Sequence, residues 1–334
     1  METKANLYIT DQGAYISKHS DALIVRKDDK ELLEIECFKI DSLLIFGHVQ
    51  FSTETLHELL EHGIGLSLFT RSGKFLGRLS GKLSNNSILR LQHHKLISDE
   101  SYRLEFARQV VSAKIDNSLT AIDRMLESRE AGQDPRLETL RNQWIGKASA
   151  AVSQESLLGI EGSFANMYFD ELGKLIPEPF TWLGRHMHPS PDPVNALMSL
   201  TYTFITNRLQ SLVEGAGLDP CLGFFHVADY SRPSLALDII EPLRAPLCDR
   251  FVLTLLSKKM FKPGDFEDDD SGGKRLVYPA FRKYISAFEK EMSRNIRSGE
   301  LDTTWTRILR DTVDSVRTSI SDSSPVSLFR MPLR

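Results

Sequence analysis

The chain has 334 residues, 41% of them hydrophobic and 26% charged, which is enough to bury a substantial core and ordinary for a soluble globular protein. Its net charge of -4 argues against a uniformly basic nucleic-acid binder, although the segment 279–334 carries ten Lys/Arg against seven Asp/Glu, a local +3. No apolar run reaches the length of a membrane span, the start lacks a secretory h-region, and three scattered cysteines without a CxxC pair suit a reducing, cytoplasmic setting.

The first 80 residues read as β-rich. "NLYIT" and "AYISK" flank "DQG", a hairpin signal, and "ALIVRK" and "ELLEIE" flank "DDK" in the same way. "SLLIFG", "GLSLF" and "FLGRLSG" are further runs of strand length, the last entered through the turn "RSGK". One helix interrupts them at "STETLHELLEHG", where Thr55 and Glu58 have capping-box spacing and Gly63 suits the C-terminal cap. "GRLSGKLSNNS" forms the joint, with a linker expected over 81–90.

From Ser87 the period becomes helical and runs without Gly or Pro to "EAGQDP". Helical patterns resume at Arg136. "LIPEPF" and "HMHPSPDP" read as Pro-rich loops, and further helices are expected over 193–213, 234–260, 279–296 and 302–321. The fold class is therefore α+β: a β-rich domain over 1–80, a larger all-α domain over 91–325, and a flexible tail over 326–334.

Two stretches carry acids where acids are unfavourable. In "SQESLLGIEGSFANMYFDELGKLI", Glu161 lies four residues after Leu157, three before Phe164 and seven before Tyr168, on the apolar stripe of a helix. A carboxylate there needs a cation, a metal or hydrogen-bond donors; an arginine partner is the plain alternative. Gly159 and Gly162 beside it each cost about 1 kcal/mol in a helix interior, and close backbone packing is one gain that offsets it. In "GFFHVADYSRPSLALDIIEPLR", Ser231 or Ser234 can cap a helix in whose first turn Pro233 fits. Asp238 and Glu241 are then i and i+3 among Leu235, Leu237, Ile239 and Ile240, where they repel unless a cation is near. Pro242 should end or kink the helix. His226, in an apolar context, is either a satisfied core residue or a neutral imidazole ligand. Glu, His and a further acid with open positions suit Mg²⁺ or Mn²⁺ rather than structural zinc.

Rival sites exist. His186 and His188 in "HMH", with Asp192 near, have a two-histidine spacing compatible with a different metallohydrolase, and "DFEDDD" holds five acids in six residues, a run that is usually a solvated loop. GxxxxGK[ST], HExxH and GxSxG are all absent, which disfavours nucleoside triphosphatases, zinc proteases and serine hydrolases.

"LLGIEGSFANMYF", "PSPDPVNALMSLTY" and "GLDPCLGFFHVADYSRPSLALDIIEPLRAPLCDRF" resemble, in order and spacing, the CRISPR-associated endonuclease Cas-one family, the integrase subunit of spacer acquisition. "SLLIFGHVQFSTETLHELLEHGIGLSLF" is similar to that family's β-domain, so the likeness spans roughly residues 7–260. The resemblance implies a homodimer that assembles with the small protein Cas-two on DNA: branched or double-stranded spacer precursors and the CRISPR array. It implies a metal bound by Glu161, His226 and Glu241, with Asp238 a supporting catalytic acid. Asn195 and Tyr202 match polar positions near that site. Arg185, Arg232 and Arg244 are expected to contact phosphates alongside them. Where the family often carries an arginine, this chain has Asn166. A non-catalytic DNA-binding scaffold, its acids held in structural ion pairs, is the competing function.

Overall fold

In the computed structural model, residues 4–79, 81, 86–129, 134–186, 189–226, 232–269, 272–298 and 301–332 are described. The chain divides into two compact units, Met1–Leu83 and Ser84–Arg334.

The first unit holds strands β1 (Ala5–Ile9), β2 (Tyr15–His19), β3 (Ala22–Lys27), β4 (Lys30–Glu36), β5 (Ile40–Phe46), β6 (Gln50–Phe51), β7 (Gly65–Phe69) and β8 (Phe75–Leu79), with helix α1 (Thr53–Glu61) between β6 and β7. They form two four-stranded sheets, ordered β1-β5-β7-β8 and β4-β3-β2-β6. "DDK" does make a hairpin: Asp28 and Asp29 both adopt positive φ, and β3 and β4 pair antiparallel. "DQG" does not. β1 pairs parallel with β5, whereas β2 pairs with β3 and β6, so the turn passes the chain from one sheet to the other. Both flanking segments supply core residues, Ile9 to one sheet and Ile16 to the other, and burying them on separate sheets wins over the local turn signal. The parallel β5–β7 pair needs a crossover, and α1 provides it. Ser52, rather than Thr55, caps α1 by accepting the Thr55 N–H (3.2 Å), and Gly63 takes the expected positive φ.

The second unit is built from helices α2 (Ser87–Ile97), α3 (Glu100–Glu127), α4 (Arg136–Ala150), α5 (Gln154–Gly173), α6 (Pro193–Gly215), α7 (Ser234–Ile240), α8 (Arg250–Ser257), α9 (Tyr278–Met292) and α10 (Trp305–Asp322). The α2 helix begins inside the segment expected to be linker. Asn86 caps it, and Leu89, His93 and Leu96 bury its inner face. Two small hairpins, β9 (Phe266–Asp268) with β10 (Lys274–Leu276) and β11 (Asn295–Ser298) with β12 (Leu301–Thr304), interrupt the otherwise helical unit. The acidic run lies on the first of them. Glu267 pairs with Arg275 (3.0 Å), Asp268 with Lys274 (2.6 Å), Asp269 accepts the Gly273 N–H, and Asp270 lies outside the described residues.

The centre of this unit is α3. Phe106, Val110, Val111, Ile115, Leu119 and Ile122 are buried, so it packs on several sides at once. The expected flexible tail is instead fastened along this helix. Val326 N–H donates to Gln109 (2.9 Å), Met331 N–H to Asn117 (2.6 Å), and Arg330 reaches Asp116 and the Ser112 carbonyl. Val326 and Met331 are buried, and the Phe329 ring meets Trp305 edge-on. These apolar anchors plus satisfied backbone groups outweigh the ordering entropy of so short a segment.

Candidate metal centre

Glu161 is on α5, whose Leu157, Phe164, Tyr168 and Leu172 are buried, so the apolar stripe does turn inward and carries the carboxylate with it. Glu161 is paired, but with a lysine and not an arginine. Lys114, on α3, donates to Glu161 and also to Glu241 (2.6 Å), so one ammonium is shared by two carboxylates. The Lys114 and Glu241 side chains are 12% and 4% exposed, which makes the pair costly to separate.

Glu241 owes its position to Pro242. The α7 helix runs up to Ile240, Glu241–Leu243 tighten into a 3₁₀ turn with Pro242 in its first turn, and Arg244–Asp249 continue as a π-helix before α8. Pro242 thus reshapes the expected 234–260 helix rather than ending it, and such irregular turns recur at functional sites. Glu241 also pairs with Arg244 (3.0 Å), and its carboxylate faces His226 Nε2 at 3.8 Å. Burial alone would push the Glu241 carboxyl up, but Arg244 and Lys114 outweigh burial and hold it at about 2.

Asp238 faces the other way. It is fully buried, and its two oxygens accept four hydrogen bonds. The N–H groups of Phe224 (2.6 Å) and Phe225 (2.9 Å) donate to Oδ2; the His226 N–H (2.8 Å) and Nδ1 (2.7 Å) donate to Oδ1. The i, i+3 acids therefore do not share a surface, because the imidazole stands between them. With the Nδ1 proton on Asp238, the Nε2 lone pair is presented on the Glu241 side, the arrangement in which a second carboxylate orients a histidine ligand. Gly223 makes room for this: a Cβ there would lie 2.8 Å from Asp238 Oδ2 and 2.8 Å from the Ser234 carbonyl carbon. Ser231 lies outside the described residues, and Pro233, not a serine, occupies the N-cap of α7.

The polar positions nearby divide. Asn195 is fully buried and its side chain is fully used: Nδ2 donates to Asp192 (2.7 Å) and the Gly184 carbonyl (2.9 Å), and Oδ1 accepts from His186 N–H and Arg185. It ties the 184–192 loop to the start of α6. Tyr202 is buried, its hydroxyl on Asp249, whose other oxygen takes the Tyr168 hydroxyl (2.8 Å). Burial and Asp249 drive both phenols well above their usual range. Arg185 and Arg244 lie over the Tyr202 ring at 5.1 and 4.9 Å. Asn195 and Tyr202, expected beside the DNA, thus spend their polar atoms on protein partners and hold the neighbouring arginines. Arg232 is exposed.

Gly159 and Gly162 do not pack against another backbone; a Cβ at either would meet nothing within 4 Å. His186 Nε2 turns to the Leu183 carbonyl (3.2 Å), and His188 lies outside the described residues. Among the described residues, the three potential ligand groups that approach within 4.8 Å of one another are Cys37, Glu58 and His62. There Glu58 is already neutralised by Lys18 and bonded to His62 (2.9 Å), and burial pushes the Cys37 thiol up to about 11, so that group is a satisfied ion pair beside a protonated thiol.

Sequence reasoning missed Lys114, Asn117 and Gly223. The available signal was "VVSAKIDNSL": a lysine and an asparagine three residues apart among Val110, Val111, Ala113, Ile115 and Leu119. Asn117 Nδ2 donates to the Pro242 carbonyl (2.7 Å) and to the Phe329 carbonyl (2.9 Å), joining the Glu241 turn to the C-terminal strap.

A family model described as CRISPR associated protein Cas1 matches residues 7–290. A CRISPR-associated endonuclease Cas1 of Thermus thermophilus is 32% identical over 294 residues, covering 87% of this chain and 86% of its own. A casposase bound to integration product superposes with TM-score 0.84 at 21% identity, covering 100% of this chain and 94% of its own. The chain also matches 36% of a chain in a Cas6-RT-Cas1–Cas2 complex, with TM-score 0.81 and 24% identity over 97% of its own length.

Proposed function

The chain belongs to the CRISPR-associated Cas1 family, and from that premise we propose that it is a metal-dependent DNA endonuclease and integrase that inserts spacers into a CRISPR array, with Glu161, His226 and Glu241 as its metal ligands. The observation that carries the site assignment is the shared cation position. Two carboxylates from distant segments converge on one positive charge, and an imidazole with a free Nε2 faces one of them. Hard carboxylate oxygens with one imidazole fit Mg²⁺ or Mn²⁺.

When bound, such an ion polarises the target phosphodiester and offsets charge on the leaving oxygen. The protein's own residues do the rest. Asp238 and three backbone N–H groups fix the imidazole and its tautomer, and Arg244 holds the second oxygen of Glu241. In integration the nucleophile is a DNA 3′-hydroxyl and in hydrolysis it is water; no covalent protein intermediate is needed. Arg185, Arg232 and Arg244 supply positive charge for phosphates, and sequence choice then comes mainly from DNA shape and partners.

The partners follow from the family: a second copy of the chain, and Cas2, with which a Cas1-containing neighbour is seen assembled. Among the described residues no helix is long and apolar enough to cross a membrane; the cytoplasmic location follows from the proposed work on the CRISPR array. Glu161→Ala and His226→Ala should each abolish Mn²⁺-dependent cleavage and joining of branched DNA while leaving circular dichroism and melting behaviour cooperative. Full activity in both variants overturns the assignment.

A further inference from the structure

We infer that Lys114 is the protein's own stand-in for the metal ion: its ammonium holds the cation position between Glu161 and Glu241 and must withdraw when a divalent ion enters. This inference rests on the ligand assignment proposed above.

The geometry is specific. Among the described residues Lys114 is the one basic side chain within 4 Å of Glu161, and the same Nζ reaches Glu241. Glu241 has Arg244 as a second cation and His226 nearby; Glu161 has neither. Removing the ammonium therefore leaves two carboxylates facing each other, one of them without any cation, in a setting where burial magnifies their repulsion. The central position of Lys114 on α3 fixes its reach: Ala113 and Ile115 on either side of it in sequence are fully buried, so the backbone cannot shift to another register. Two of the three groups proposed to hold an ion are thus already arranged around a charge, and folding does not wait for metal.

The arrangement has a cost for metal binding. An incoming ion gains two carboxylates only by breaking two charge-assisted hydrogen bonds, so the lysine lowers apparent metal affinity while it raises the stability of the metal-free protein. Its role is to position the carboxylates and to set the concentration at which metal loads.

The test is Mn²⁺ binding measured by electron paramagnetic resonance on the full chain, together with melting temperature with and without Mn²⁺. Three variants are compared with the parent. Lys114→Met should melt lower than the parent without metal, bind Mn²⁺ about tenfold more tightly or better, and show a larger Mn²⁺-induced rise in melting temperature. Lys114→Arg, which keeps the charge in a planar fork suited to carboxylates, should fold normally and bind Mn²⁺ more weakly than the parent. Glu161→Gln reports on the underlying site. If the parent and Glu161→Gln bind Mn²⁺ equally, the ligand assignment fails. If Glu161→Gln loses Mn²⁺ but Lys114→Met binds no more tightly than the parent, the stand-in role is overturned. Should Lys114→Met not fold, unchanged or tighter Mn²⁺ binding by Lys114→Arg overturns it equally.

Discussion

Asp238→Asn is the sharpest probe of how this centre is held. The parent carboxylate accepts four hydrogen bonds, two on each oxygen, from a fully buried position. An amide keeps one oxygen and replaces the other with an NH₂ group. Whichever way it is turned, that NH₂ faces two donors, either the N–H groups of Phe224 and Phe225 or the main chain and ring of His226. Two charge-assisted bonds are lost at about 1.5–3 kcal/mol each, or about 3–6 kcal/mol gross, and relief from burying a charge offsets part of it. A net destabilisation of about 3 kcal/mol is expected. Urea unfolding without metal measures it, and ¹⁵N-resolved NMR of the ring reads the His226 tautomer, which should no longer hold its proton uniformly on Nδ1. Mn²⁺ affinity should fall in step as Nε2 loses its fixed lone pair. Stability within 1 kcal/mol of the parent together with an unchanged Nδ1 proton would refute the reasoning.

Three further outcomes follow from neighbouring residues. Gly223→Ala places a Cβ 2.8 Å from Asp238 Oδ2 and from the Ser234 backbone, so thermal unfolding should show a loss of about 1–3 kcal/mol although alanine is otherwise the milder residue. Asn117→Leu removes the bonds to Pro242 and Phe329 and the acceptor for Met331, so denaturant titration should show about 3 kcal/mol lost and limited proteolysis should release the 325–332 strap first. His93 is buried beside Phe224, and burial holds its imidazole down to about 4 despite its bond to the Leu222 carbonyl. Between pH 6.5 and 4 the unfolded chain takes a proton that the native state refuses, so stability is full above that window and lost as pH falls through it. The loss should be about 2 kcal/mol between pH 7 and pH 5, and His93→Gln, compared by urea unfolding at both pH values, should remove it.

Much of this protein was legible in its sequence because periodicity and composition are local properties. The period change near Ser87, the Pro-rich loop ahead of α6 and the inward placement of Glu161 all depend on residues within a few turns of one another. The motifs around Glu161, His226 and Glu241 were also local, so the family could be recognised from them. The "DQG" turn misled because turn chemistry competes with burial: Ile9 and Ile16 belong to different sheets, and only the packed unit decides that. The tail misled for the same reason, since its anchors Gln109, Asn117 and Asp116 are far away in sequence.

What only the tertiary structure decided is the division of labour at the centre. Sequence placed Asp238 and Glu241 three residues apart on a helix and left them repelling each other. The fold inserts His226 between them, aims Asp238 at three backbone N–H groups, and sends Glu241 across to an ammonium on α3, 127 residues away. A buried charge is tolerable only beside its partner, and that partner can come from any part of the chain that packing brings near. Spacing could mark the acids as anomalous; only the packing of α3 against α5 and the turn after α7 could say that Lys114 answers them.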